Sequence, residues 1–115
     1  MNVARKQLES GVVVLELIGV MVMGPDCERL DQEVDQTLEQ NQNRVVLDMT
    51  AVKHIDSAGL GKIVSCFSKL KKAGGGLRVA GAHGMVETAL KTTHLDRIIS
   101  LYSTAAEAGE GFASA

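Results

Sequence analysis

Cysteine is scarce in this chain: two residues, Cys27 and Cys66, among 115. That is too few for the disulfide framework of a small secreted scaffold, and a reducing, cytoplasmic location is expected. An excess of either charge is also missing. With a formal charge of −2 the chain has no basic footprint, so direct nucleic-acid binding is not expected. Nor is there a long hydrophobic run. The longest, Val12 to Met23, is interrupted by Glu16 and Gly19 and falls well short of the roughly 20 apolar residues of a membrane span, so no membrane insertion is expected. Arg5 and Lys6 are followed by Gln7, Leu8, Glu9 and Ser10, which do not form the apolar core of an export signal. Internal repeats and long linkers are absent, and the length suits a single domain over 1–115, with the tail 109–115, "GEGFASA" from Gly109, expected to fray.

What is present alternates in period. "VARKQLES", Ser10–Gly11 and "VVVLELI" over 12–18 predict a hairpin of two strands. From Pro25, Cys27, Leu30, Val34 and Leu38 recur at helical spacing until the polar "QNQN" of 40–43. "RVVLDM", 44–49, is a nearly continuous apolar run and reads as a central strand covered on both faces. Leu60, Ile63, Val64, Phe67 and Leu70 then form a helical stripe, with Lys69, Lys71 and Lys72 placed to favour the helix dipole. Gly74, Gly75 and Gly76 stop that helix. A strand is predicted over 77–81, a helix over 84–93 with Met85, Ala89 and Leu90 inward, and a last strand over 97–102. Thr104 and Glu107 have capping-box spacing for a terminal helix turn. Strands alternating with helices, plus an N-terminal hairpin, predict an α/β fold: a mixed sheet of four to five strands with about four helices.

The segment "KHIDSAGLG", 53–61, sets Ser57 between a strand-and-loop and a helix start. The ordinary role of a serine there is an N-cap worth ~1 kcal/mol; if Asp56 caps instead, Ser57 is left pointing outward. Catalytic readings of the same stretch fail on their own requirements. "IDSAG" lacks the first glycine of the G-x-S-x-G elbow. A Walker A loop ending at Gly61–Lys62 would need glycine where Asp56 stands and Ser or Thr where Ile63 stands. "GGGLRVAG", 74–81, leads into a strand rather than out of one, unlike a dinucleotide fingerprint. His54, His83, His94, Cys27 and Cys66 show no metal-ligand spacing. No enzyme activity, metal or cofactor is expected. Met21 and Met23 at a strand exit read as packing or as contact surface.

The run "VVLDMTAVKHIDSAGLGKIVSCFSKLKKAGGGLRVAG", 45–81, resembles the core of the STAS domain, the fold of bacterial anti-sigma factor antagonists. Weaker similarity covers the N-terminal strand pair and "TTHLDRIISLYSTAAEA". The resemblance implies a switch protein. An anti-sigma factor that is also a GHKL-type serine kinase would phosphorylate Ser57, the unphosphorylated form would hold that kinase and free a sigma factor, and a phosphoserine phosphatase would reset the cycle. It further implies that Asp56, Ser57, Ala58, Gly59, Leu60 and Gly61 shape the partner surface, with Met21 and Met23 beside them. One departure stands out: where such antagonists usually carry an acid soon after the second strand's glycine, this chain reads Val20-Met21-Val22-Met23. The alternative is a STAS subunit of a stress-signalling or lipid-transport complex in which Ser57 is mainly a helix cap.

Overall fold

A computed structural model describes residues 1–8 and 10–112. In chain order the elements are β1 Asn2–Gln7, β2 Val13–Met21, α1 Pro25–Glu39, β3 Arg44–Ile55, α2 Ser57–Lys72, β4 Gly76–Ala80, α3 Gly84–Thr92, a 3₁₀ turn Leu95–Arg97, β5 Leu101–Tyr102 and α4 Ala105–Gly109. The sheet order is β1-β2-β3-β4-β5. β1 runs antiparallel to β2, as the short Ser10–Gly11 turn allows, and the remaining pairs are parallel. The expected mixed α/β architecture is therefore present.

Alternation along the strands divides the interior in two. Val13, Leu15, Leu17 and Met21 of β2 and Val45, Leu47 and Met49 of β3 face one side, where Leu30 and Val34 of α1, Ile63, Cys66 and Leu70 of α2, and Val86 and Leu90 of α3 cover them. Val12, Val14, Val46 and Ala80 face the other side, covered by Ala108 and Phe112. β3 is central because both its faces are apolar, which is what its unbroken sequence run requires.

Five local expectations need correction. β3 does not stop at Met49 but continues to Ile55, because β2 extends to Met21 and pairs with it as far as Ile55. The last strand is only Leu101–Tyr102; of the preceding segment Arg97 ends the 3₁₀ turn and 98–100 are irregular, leaving Ile98 exposed and Ile99 buried. In α3, Met85 points outward at 41 % exposure and Val86 takes the inward place, a rotation of one residue that the apolar spacing left open. On α2 the buried line is Gly59, Ile63, Cys66 and Leu70, with Leu60 and Phe67 flanking it half-buried. Finally, Gly109 closes α4 and Phe112 is buried against the second cluster; residues 113–115 of the expected frayed tail lie outside the described residues.

The two large helices are tied by charge. Asp31 of α1 accepts from Lys62 at 3.0 Å and from Lys69 at 2.8 Å, and Lys69 also meets Asp35 at 2.8 Å. The two lysines hold the Asp31 carboxyl below its ordinary pKa, and the two carboxylates raise that of Lys69. Beside them, burial pushes the Cys66 thiol up to about 12, so it packs as a neutral group.

Candidate functional site: the start of helix α2

β3 delivers its C-terminal end to the same edge as the end of β2, and there the chain turns into α2. The helix needs an acceptor for its first N–H groups. Asp56, in extended backbone, provides it: Oδ1 accepts from Gly59 N at 2.9 Å. Aspartate is among the best capping residues and its charge complements the helix dipole. The cap is thus Asp56, and the reading of Ser57 as the cap is corrected: Ser57 is the first helical residue.

The second oxygen of Asp56 reaches further. Oδ2 accepts from the backbone N–H of Met23 at 3.0 Å, and the Asp56 N–H itself donates to Met21 O at 3.2 Å. One residue therefore fastens the exit of β2 to the start of α2. The N–H groups of Gly59 and then Met23 hold the Asp56 carboxyl below the usual carboxylate range, so it is ionised at neutral pH.

Relieved of capping, Ser57 is exposed, and among the described residues its hydroxyl has no hydrogen-bond partner. The helix N-terminus on which it stands favours negative charge. Asp56 is already one such charge.

The neighbours divide between surface and support. Met23 is 77 % exposed, the most exposed of the large apolar side chains described. Gly61 is exposed, Ala58 and Leu60 are half-buried, and Gly59 is buried. Gly59 is there because the backbone comes close: a Cβ would lie 2.5 Å from Met21 O and 2.7 Å from Ile55 Cγ1. Met21 is fully buried in the core, which corrects its expected place on a contact surface. Its side chain fills the space under α2 while its carbonyl receives Asp56. Gly24, with φ of +108°, then turns the chain from Met23 into α1, where Pro25 occupies the first helical position.

Sequence reasoning brought residues 56–61 together because they are contiguous. It missed the bond from Asp56 to Met23, which joins residues 33 apart; the only signal was a methionine two residues past the end of β2. Among the described residues no group of three or more metal-binding side chains comes together, and His83 instead approaches Thr50 O at 2.9 Å with its Nε2. No helix among the described residues is long and apolar enough to cross a membrane.

A five-stranded mixed sheet with an aspartate-capped helix carrying an exposed serine defines a class of small α/β domains, and comparison with known proteins assigns the class. The profile of the STAS domain matches residues 4–108, and the chain belongs to that family. A Thermotoga maritima protein described as a candidate anti-sigma factor antagonist is 36 % identical over 76 residues, which are 66 % of this chain and 67 % of the relative. The crystal structure of a candidate antagonist from the same organism superposes with a TM-score of 0.87 at 29 % identity, covering 96 % of this chain and 93 % of that one. The Bacillus cell fate determinant SpoIIAA in its phosphorylated form shares the fold, with a TM-score of 0.72 over 93 % of this chain and 96 % of that one at 15 % identity.

Proposed function

We propose that this protein is a phosphorylation-controlled binding module, an anti-sigma factor antagonist rather than an enzyme. Its unphosphorylated form holds an anti-sigma factor that is also a GHKL-type serine kinase and so frees a sigma factor. Phosphorylation of Ser57 switches binding off, and a phosphoserine phosphatase restores it. The observation that carries the reading is the division of labour at 56 and 57: Asp56 caps the helix, so Ser57 has no structural bond to give up when it is modified.

The chemistry follows from that position. A phosphate adds about −1.5 to −2 charges and three acceptor oxygens. At a helix N-terminus it is tolerated without unfolding. Against a partner it must be desolvated next to the Asp56 carboxylate, a like charge one residue away. An uncompensated buried charge of that kind costs several kcal/mol, enough to dissociate a moderate complex. Met23, exposed beside Ser57, would supply an adaptable apolar contact, and it occupies the stretch where an acid is usual in such antagonists, which fits a different kinase partner.

Capture of partners from the native cell by wild type, Ser57→Ala and Ser57→Asp, with mass spectrometry of the partner and of residue 57, tests the proposal. The expected result is a kinase of this type held by wild type and by Ser57→Ala, lost by Ser57→Asp, with phosphate found on Ser57 of the wild type alone. Equal capture by all three forms, or capture of transporter subunits instead, would overturn it.

A further inference from the structure

The far end of the sheet carries a second feature that the switch does not use. A cavity of about 360 Å³ opens where β3 and β4 begin. The twelve residues of β3 run from Arg44, in the cavity's lining, to Ile55 beside the switch. All the charged residues lining it are cations, Arg44, Lys71 and Arg78, in a chain whose overall charge is −2. Phe67 and Phe112 also line it, Phe112 nearly buried beneath Arg78, and Ser100 adds a hydroxyl.

Lys71 and Arg78 are held in place by contacts that do not neutralise them. Arg78 Nη1 donates to the backbone carbonyls of Ala108 and Glu110, both at 3.0 Å. Its guanidinium lies 4.2 Å from the ring centre of Phe112 and 5.4 Å from that of Tyr102. Neutral carbonyls and ring faces fix the orientation of the fork and leave its positive charge in the pocket. Lys71 Nζ stands 6.0 Å from the ring centre of Phe67 and forms no ion pair with a carboxylate among the described residues. This sets it apart from Lys69 on the same helix, which Asp31 and Asp35 engage.

We propose that this pocket binds a small organic anion with a ring or other flat apolar body and a phosphate or carboxylate head. The volume lies within the range of small-ligand pockets. Arg78 and Lys71 would meet the head, and the half-buried Phe67 the body. A concave site presenting Lys71 and Arg78 suits a small molecule better than a nucleic-acid backbone, which is met by an extended basic stripe.

Phenyl phosphate, inorganic phosphate and benzyl alcohol are the probes, titrated into ¹⁵N-labelled full-length protein. Phenyl phosphate should give saturable amide shifts at Gly74, Gly75, Gly76 and Ser100 and none around Ser57. Its affinity should exceed that of inorganic phosphate about tenfold, the ratio expected when a ring contact adds to a shared anion contact. Lys71→Glu and Ser100→Asp, both at exposed positions, should each weaken it about tenfold or more by putting a like charge against the head, with the thermal midpoint confirming that they fold. Shifts that do not saturate, that persist in both variants, or that benzyl alcohol reproduces would overturn the proposal. So would binding of the wild type, but not of Lys71→Glu, to phosphatidylglycerol vesicles without shifts from phenyl phosphate, which would assign the cations to a lipid surface. Either result leaves the Ser57 switch untouched, since no variant here alters residues 56–61.

Discussion

The Asp56 carboxylate accepts the backbone N–H of Met23 at 3.0 Å while its other oxygen accepts that of Gly59 at 2.9 Å. A single side chain thus fixes both the exposed methionine and the helix start that presents Ser57. Asp56→Ala removes both bonds, whereas Asp56→Asn keeps one acceptor and offers Met23 an amide N–H that cannot accept. The denaturation midpoint should fall in the order wild type, Asn, Ala. Hydrogen exchange at the Met23 amide should quicken in both variants, and at Gly59 chiefly in Ala. Unchanged exchange at Met23 in Asp56→Ala would show that the bond between the two segments contributes nothing.

The same carboxylate sets a pH window. Its folded-state pKa lies below the unfolded value of roughly 3.9, so its stabilisation is fully present above that value and is lost as pH falls through the folded pKa. The stability gap between wild type and Asp56→Asn should therefore stay constant from about pH 8 to pH 5 and close only below about pH 4. A gap that closes near neutrality would mean that another group titrates in its place.

Two glycines of one helix should respond oppositely to alanine. At Gly61 a Cβ would meet nothing within 4 Å, so Gly61→Ala should gain roughly 0.5 to 1 kcal/mol from helix propensity. At Gly59 the same methyl would press on the Met21 carbonyl, the acceptor of Asp56 N–H, and overpacking of about 1 to 3 kcal/mol should outweigh the propensity gain. Urea denaturation of the pair checks this, and equal gains at both sites would contradict the close approach of β2 to α2.

Because Ser57 is not the cap, Ser57→Ala should change stability by no more than about 0.5 kcal/mol, the range of ordinary surface substitutions. A loss near 1 kcal/mol, typical of a removed N-cap, would return the capping role to Ser57. Stability measured this way separates the cap from the switch before any partner is in hand.

On the packed side of α2, Leu70→Ala removes a fully buried side chain and should cost about 2 to 5 kcal/mol. Phe67 flanks the core half-buried, so Phe67→Ala should cost less than the roughly 3 to 5 kcal/mol of a fully buried phenylalanine. Thermal melts of both variants check this, and a full loss of about 3 to 5 kcal/mol at Phe67 with little loss at Leu70 would mean that the helix is rotated toward Phe67.

Sequence by itself determined the elements whose signals are local. The apolar run of 44–49, the helical stripes after Pro25 and Ser57, the glycine stop at 74–76 and the threonine cap at 104 each follow from periodicity or from a cap within four residues. The serine at a helix start was legible for the same reason. Tertiary structure alone decided what depends on partners distant in the chain. β3 runs on to Ile55 because β2 supplies the pairing edge, where the sequence "TAVKHI" carries no strong strand signal of its own. Asp56 rather than Ser57 caps α2 because the chain leaving β2 brings the N–H of Met23 within reach of its second oxygen; both residues are good caps in isolation. Met21 is buried because it ends β2 beneath the start of α2, whereas Met23 lies past the strand in the turn toward α1, where none of the described elements covers it. The cationic pocket was not legible at all, since Arg44, Lys71 and Arg78 come from three different elements, and only the parallel pairing of β3 with β4 under α2 places them around one cavity.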